Sequence, residues 1–134
     1  MKNMTNAVFP RGSETILVVD DEPTVREMIR EILETCGYQV LEAKNGFEAM
    51  EVYEREGEKI NLVITDLLMP RMSGQSLVDL LSFSHLQNRI LYISGYFDDH
   101  LITRSEIERQ QNFIEKPFTA ESLARKVRSI LDVP

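Results

Sequence analysis

Five short apolar runs recur along this chain, each too short for an average helix, and the segments between them carry helical spacing. The runs are Thr15 to Val19, Gln39 to Ala43, Leu62 to Thr65, Arg89 to Ile93 and Asn112 to Ile114. Val25, Met28, Ile29, Ile32 and Leu33 fall at offsets of three, four, seven and eight, one apolar stripe of a helix. Asp21 or Glu22 precedes that helix, Pro23 sits in its first turn, and Gly37 stops it before Tyr38 begins the next strand. Further helices are predicted from Gly46 to Arg55, Gln75 to Phe83 and Thr119 to Leu131. Asp98 to Glu108 carries a thinner stripe of Leu101, Ile102 and Ile107, followed by a polar tail. Strict β/α alternation implies parallel strands joined by right-handed crossovers. The predicted fold is α/β: a doubly wound five-stranded parallel sheet with helices on both faces.

At 134 residues the chain has the length of one domain. Met1 to Ser13 mixes Asn, Thr, Pro and Gly without periodicity and reads as a flexible leader or linker, so the folded domain is expected over residues 14–134. With 15 Lys and Arg against 22 Asp and Glu, the net charge of -7 argues against direct nucleic-acid binding through phosphate contacts. Cys36 is the only cysteine, which excludes an internal disulfide and a Cys-rich zinc site. Its place near the end of an apolar helix predicts a packed, inert thiol. No run approaches the roughly twenty apolar residues of a membrane span, and the leader has no signal-peptide core. The expected location is the cytoplasm, with no membrane partner.

In parallel α/β folds, ligand chemistry gathers at the carboxyl ends of the strands, and the chemistry-bearing residues here stand at such ends. Asp20, Asp21 and Glu22 follow the first run, Asp66 and Met69-Pro70 the third, Ser94-Gly95-Tyr96 the fourth, and Lys116-Pro117-Phe118 the fifth. Two carboxylates about 5 Å apart repel by roughly 3 kcal/mol at an effective dielectric near 20, so clustered acids call for a cation. Oxygen ligands without His or Cys suit Mg²⁺ or Mn²⁺. Lys116 is placed to pair with Asp66 and then with a phosphoryl oxygen, and Ser94 to donate its hydroxyl, with room left by Gly95. Together these residues describe a phosphoryl-accepting pocket. Each fragment alone has a plainer reading: Asp-Asp-Glu-Pro as a helix start, Asp66 with Met69-Pro70 as a strand end and loop, Ser94-Gly95 as a turn. A cis Lys116-Pro117 bond is left open.

The ordered set, from about Glu14 to Leu131, resembles the receiver domain of two-component response regulators, with a flavodoxin-like or CheY-like fold. The resemblance implies an aspartyl phosphate on Asp66, formed from the phosphohistidine of a sensor histidine kinase or histidine phosphotransfer protein, or from a small acyl phosphate. It implies Mg²⁺ held by Asp21, Asp66 and the backbone carbonyl of Leu68, with Asp20 acting through water, while Lys116 and Ser94 contact the phosphoryl group. Such a domain catalyses only its own phosphorylation and dephosphorylation and is not an enzyme in the turnover sense. Ser94 and Phe113 are the expected switch pair, though Phe113 reads equally as core. The expected signalling face comprises the fourth helix, fifth strand and fifth helix, where a downstream protein or a second copy of the chain would dock. In the family's geometry Leu68 and Tyr96 would flank the path of attacking water, and neither carries a group to orient it, so the resemblance implies a long-lived phosphoryl group.

Pro10 to Thr15 and Ile93 to Tyr96 are similar to segments of receivers fused to hybrid sensor histidine kinases, whereas Met1 and the polar leader favour a stand-alone regulator. A phosphatase on a similar fold would want an acid at Leu68, and a dinucleotide site would want a Gly-rich turn at Asp-Asp-Glu-Pro. The remaining alternative is an interaction module independent of phosphorylation. His85 and His100 have no partner pattern and read as surface residues.

Overall fold

The computed structural model describes residues 9–66, 85–86, 88–94 and 112–133, without the side chain of Ser94. In chain order the elements are β1 (Thr15–Val19), α1 (Pro23–Thr35), β2 (Gln39–Ala43), α2 (Gly46–Glu56), a 3₁₀ turn (Gly57–Lys59), β3 (Ile60–Asp66), β4 (Ile90–Ser94), β5 (Phe113–Glu115) and α3 (Ala120–Leu131). Leu68, Met69, Pro70, Gly95, Tyr96 and His100 lie outside the described residues, as do the helices expected over Gln75 to Phe83 and Asp98 to Glu108.

The strands form one parallel sheet in the order β2-β1-β3-β4-β5. Alternate residues of each strand face opposite layers. Ile16, Val18, Leu62, Ile64, Leu91 and Ile93 pack with Ile29, Ile32 and Leu33 of α1 and Leu123, Val127 and Ile130 of α3. Leu17, Val19, Val63, Ile90 and Tyr92 pack on the other face with Ala49 and Val52 of α2. Burial of both faces explains why the strands read as continuous apolar runs instead of alternating ones.

Local chemistry sets the helix boundaries. Pro23 opens α1, and Glu22 before it is extended with no side-chain cap. The helix closes in a Schellman motif: Tyr38 N–H donates to Leu33 O at 3.1 Å and Gly37 N–H to Glu34 O at 3.0 Å. Gly37 has φ +105°, a conformation that glycine adopts without strain. Asn45 caps α2 by accepting from Glu48 N–H at 2.8 Å. Thr119 and Ser122 form a reciprocal capping box at α3, so Thr119 is the cap and not the first helical residue.

Three strands differ from expectation at their ends. The third strand runs from Ile60 and includes Asp66, the fourth is shifted to Ile90–Ser94, and the fifth to Phe113–Glu115. Ladder partners decide these limits: Asp66 pairs with Ile93, and Ser94 with Glu115. The end of the expected leader is docked on the domain: Phe9 packs against the core layer shared with α1 and α3, and Gly12 N–H donates to Cys36 O at 3.1 Å. Arg128 of α3 then holds Arg11 O at 3.2 Å and forks onto Glu14 at 2.7 and 3.1 Å. Partial burial of Phe9 and the Arg128 contact with Arg11 thus hold a segment whose sequence has no periodicity. Cys36 is buried, and burial pushes its thiol pKa up. His85 is exposed, with its Nε2 2.9 Å from Ile60 O.

Candidate functional site

The chain reverses its direction of travel across the sheet between β1 and β3, so their carboxyl ends flank a topological switch point. Val19 pairs with Thr65, which makes Asp20 and Asp66 neighbours at the next step of the register. Asp20 prolongs β1 by donating its N–H to Ala43 O at 3.1 Å. Carboxylate oxygens of Asp20, Asp21 and Asp66 all lie within 4.8 Å of one another. Asp20 is 0% exposed and Asp66 5% exposed, whereas Asp21 faces solvent.

Lys116 lies one residue past β5, on the far side of β4 from Asp66. Adjacent strands are about 4.8 Å apart, so the lysine stem must reach across roughly two strand spacings. It does so, and Nζ donates to Asp66 Oδ2 at 2.9 Å. The Lys116-Pro117 peptide is cis. Burial alone would weaken the ammonium, but the hydrogen bond to Asp66 and the fields of Asp66, Asp20 and Glu22 outweigh it, and the Lys116 pKa is raised.

Asp20 is the strained member of the group. One oxygen, Oδ1, accepts from Glu22 N–H at 2.9 Å. The other, Oδ2, is buried without a hydrogen-bond partner. Burial pushes the Asp20 pKa up to about 6, and the fields of Asp66 and Asp21 add to it against the opposing pull of Glu22 N–H and Lys116. A buried carboxylate oxygen without a partner is costly, and a hard cation is the partner that three converging carboxylates can share. The donors are all oxygen, which fits Mg²⁺ or Mn²⁺.

Of the residues the sequence singles out, Asp20, Asp21, Asp66 and Lys116 are brought together. Ser94 ends β4, beside β3 and β5. Phe113 opens β5, half-buried and packed against the layer that contains Tyr92. Arg26 was not anticipated: its Nη1 donates to the Asp20 carbonyl at 2.8 Å and its Nε to Glu42 Oε1 at 3.1 Å. A cation in the first turns of α1 opposes the helix dipole, and that local misfit was the available signal of a specific partner.

The family described as response regulator receiver domain matches residues 16–128. The chain is 34% identical over 131 residues to a sensor kinase, CckA, of Brucella abortus (strain 2308), covering 98% of this chain and 14% of that protein. It is 27% identical over 124 residues to the chemotaxis protein CheY of Treponema pallidum (strain Nichols), covering 91% of this chain and 86% of that protein. A solved receiver domain protein from Clostridium thermocellum superposes with a TM-score of 0.77 at 25% identity, over 89% of this chain and 94% of the other. The chain thus spans only 14% of the Brucella kinase's length and most of the Treponema protein's. With a match running from β1 into α3 and the acids and lysine converging at the switch point, this chain belongs to the CheY-like receiver domain family of two-component systems.

Proposed function

We propose that this domain accepts a phosphoryl group on Asp66 in a Mg²⁺-dependent reaction. The observation that carries the reading is Asp66 itself: nearly buried, 2.9 Å from the Lys116 ammonium, and grouped with Asp20, whose Oδ2 has no partner. A bound Mg²⁺, held by Asp20, Asp21 and Asp66, would neutralise charge on the phosphoryl oxygens during transfer. The Leu68 carbonyl, expected in the same set, lies outside the described residues.

An Asp66 carboxylate oxygen is the nucleophile. It forms the new O–P bond, and the donor's P–N bond of phosphohistidine, or P–O bond of an acyl phosphate, breaks with its electron pair leaving on the donor. Lys116 holds the carboxylate in place before transfer and stays within reach of the phosphoryl oxygens after it. Positioning and charge neutralisation supply the catalysis, and the domain modifies itself instead of turning over a substrate. Asp20, raised to about 6, is mostly ionised at neutral pH and so available to a cation.

The donor is a sensor histidine kinase or a histidine phosphotransfer protein, a reading supported by the similarity to sensor kinases of Brucella and of Ectopseudomonas mendocina. Ser94 and Phe113 are the switch pair, and β5 with α3 forms the described part of the face that a downstream protein would read. Intact-mass spectrometry after incubation with acetyl phosphate and Mg²⁺ tests the reading. One added phosphoryl mass in the wild type, absent in Asp66→Asn and absent with chelator, is expected. No gain in the wild type with either acetyl phosphate or a phosphorylated histidine donor would leave a phosphorylation-independent interaction module.

A further inference from the structure

We propose that Arg26 is a positioning residue for the acidic site, setting the plane of the peptide that joins Asp20 to Asp21; the proposal rests on the cation-dependent reading above. The carbonyl oxygen that accepts from Arg26 Nη1 at 2.8 Å belongs to that peptide. Because a peptide unit is planar, holding its oxygen fixes the direction in which both flanking Cα atoms leave it. The two neighbouring constraints act on other atoms: Ala43 O takes the Asp20 N–H at 3.1 Å, and Asp20 Oδ1 takes the Glu22 N–H at 2.9 Å. Arg26 adds the one on the linking peptide, just where β1 has ended.

The guanidinium is itself held. Nε donates to Glu42 Oε1 on β2 at 3.1 Å, and the second oxygen of Glu42 accepts from Arg30 Nη1 at 2.7 Å. The Arg26 side chain is 19% exposed against 44% for Arg30. A planar fork with two fixed acceptors transmits orientation in a way that a point charge on a flexible stem does not. Arg26 therefore connects α1, the edge strand β2 and the acids at the end of β1. Arg30 lies one turn further along α1 and shares Glu42, and its hydrogen bond there does not reach the Asp20 peptide.

That difference supplies the test. Mn²⁺ affinity, read from the free-ion paramagnetic resonance signal, is measured for wild type, Arg26→Ala, Arg26→Lys and Arg30→Ala, with thermal midpoints taken in chelator. Loss of a residue that orients metal ligands typically weakens binding by 10–100-fold. Arg26→Ala is expected to weaken Mn²⁺ binding about tenfold or more, Arg26→Lys to recover part of the loss through its single donor, and Arg30→Ala to stay within about twofold of wild type. Equal weakening by Arg26→Ala and Arg30→Ala, or unchanged affinity in folded Arg26→Ala, would overturn the proposal alone. If Arg26→Ala does not fold, Arg26→Lys decides: affinity equal to wild type overturns the proposal, and a partial loss absent from Arg30→Ala supports it. Absence of Mn²⁺ binding by the wild type would overturn the cation-dependent reading and this proposal with it.

Discussion

Replacing Asp20 by Asn should stabilise the ion-free protein at alkaline pH. The carboxyl is 0% exposed, its Oδ2 has no partner, and its pKa stands at about 6 against an ordinary 3.8. A shift of about two units at about 1.4 kcal/mol per unit makes the ionised form cost roughly 3 kcal/mol. Asn keeps the shape and an oxygen for the Glu22 N–H, while its own amide N–H groups need acceptors; allowing about 1 kcal/mol for that leaves a gain of about 2 kcal/mol. For a domain of this size that corresponds to a rise of roughly 6–10 °C in Tm. The sign follows from proton counting. Between about 4 and about 6 the folded state keeps on Asp20 a proton that the unfolded chain has released, so the Asp20 contribution to wild-type stability falls as pH rises through that window and levels off above it. Thermal melts in chelator at pH 8 and pH 4 check this: Asp20→Asn is expected to exceed wild type at pH 8 and to lose most of the advantage at pH 4. Equal or lower stability of the variant at pH 8 would refute the reasoning that this buried charge lacks a partner.

Removing the Lys116 ammonium, which lies 2.9 Å from Asp66, as Lys116→Ala should slow labelling by acetyl phosphate about 10²–10³-fold in a time course of intact mass; a rate within threefold of wild type would contradict its role. Arg128→Ala removes the fork on Glu14 and should cost about 1–2 kcal/mol after allowance for solvent screening, read from denaturant melts. Because Arg128 holds the Glu14 pKa down to about 2 from 4.5, that difference should be full above pH 4.5 and disappear as pH falls toward 2. Gly37→Ala places a Cβ at φ +105° and against the Gly12 carbonyl, and should destabilise by about 1–3 kcal/mol in the same melts, whereas a neutral result would show that the docked Phe9 to Ser13 segment yields freely.

The elements were legible where one physical signal dominates. β1 and β2 fall where their apolar runs place them, and α1 ends at Gly37 because no other residue takes that conformation as readily. Strand ends that depend on a partner across the ladder were less legible: Asp66 and Ser94 belong to β3 and β4 because Ile93 and Glu115 pair with them, which no local pattern encodes. The convergence of Asp20, Asp21, Asp66 and Lys116 could be anticipated from their positions at strand ends, since parallel strands carry those ends to one edge. The unpartnered oxygen of Asp20 could not, because it depends on how deeply the end of β1 is covered. Arg26 stood out only as a cation misplaced in the first turns of α1, and its partner was illegible for a related reason: a guanidinium bound to a backbone carbonyl leaves no residue pattern on the acceptor side. The Phe9 to Ser13 segment has no periodicity because a single ring, the Gly12 hydrogen bond to Cys36 and the Arg128 guanidinium hold it.

The most direct test of Asp66 as phosphoryl acceptor is to label the wild type with acetyl phosphate and Mg²⁺, reduce with borohydride, and map the modified residue by peptide mass spectrometry. Reductive cleavage of an aspartyl phosphate converts that residue to homoserine. Conversion at Asp66 alone is the predicted result. Conversion at Asp20 or Asp21 with Asp66 untouched would contradict the account, because it would place the nucleophile on a carboxylate that Lys116 does not hold.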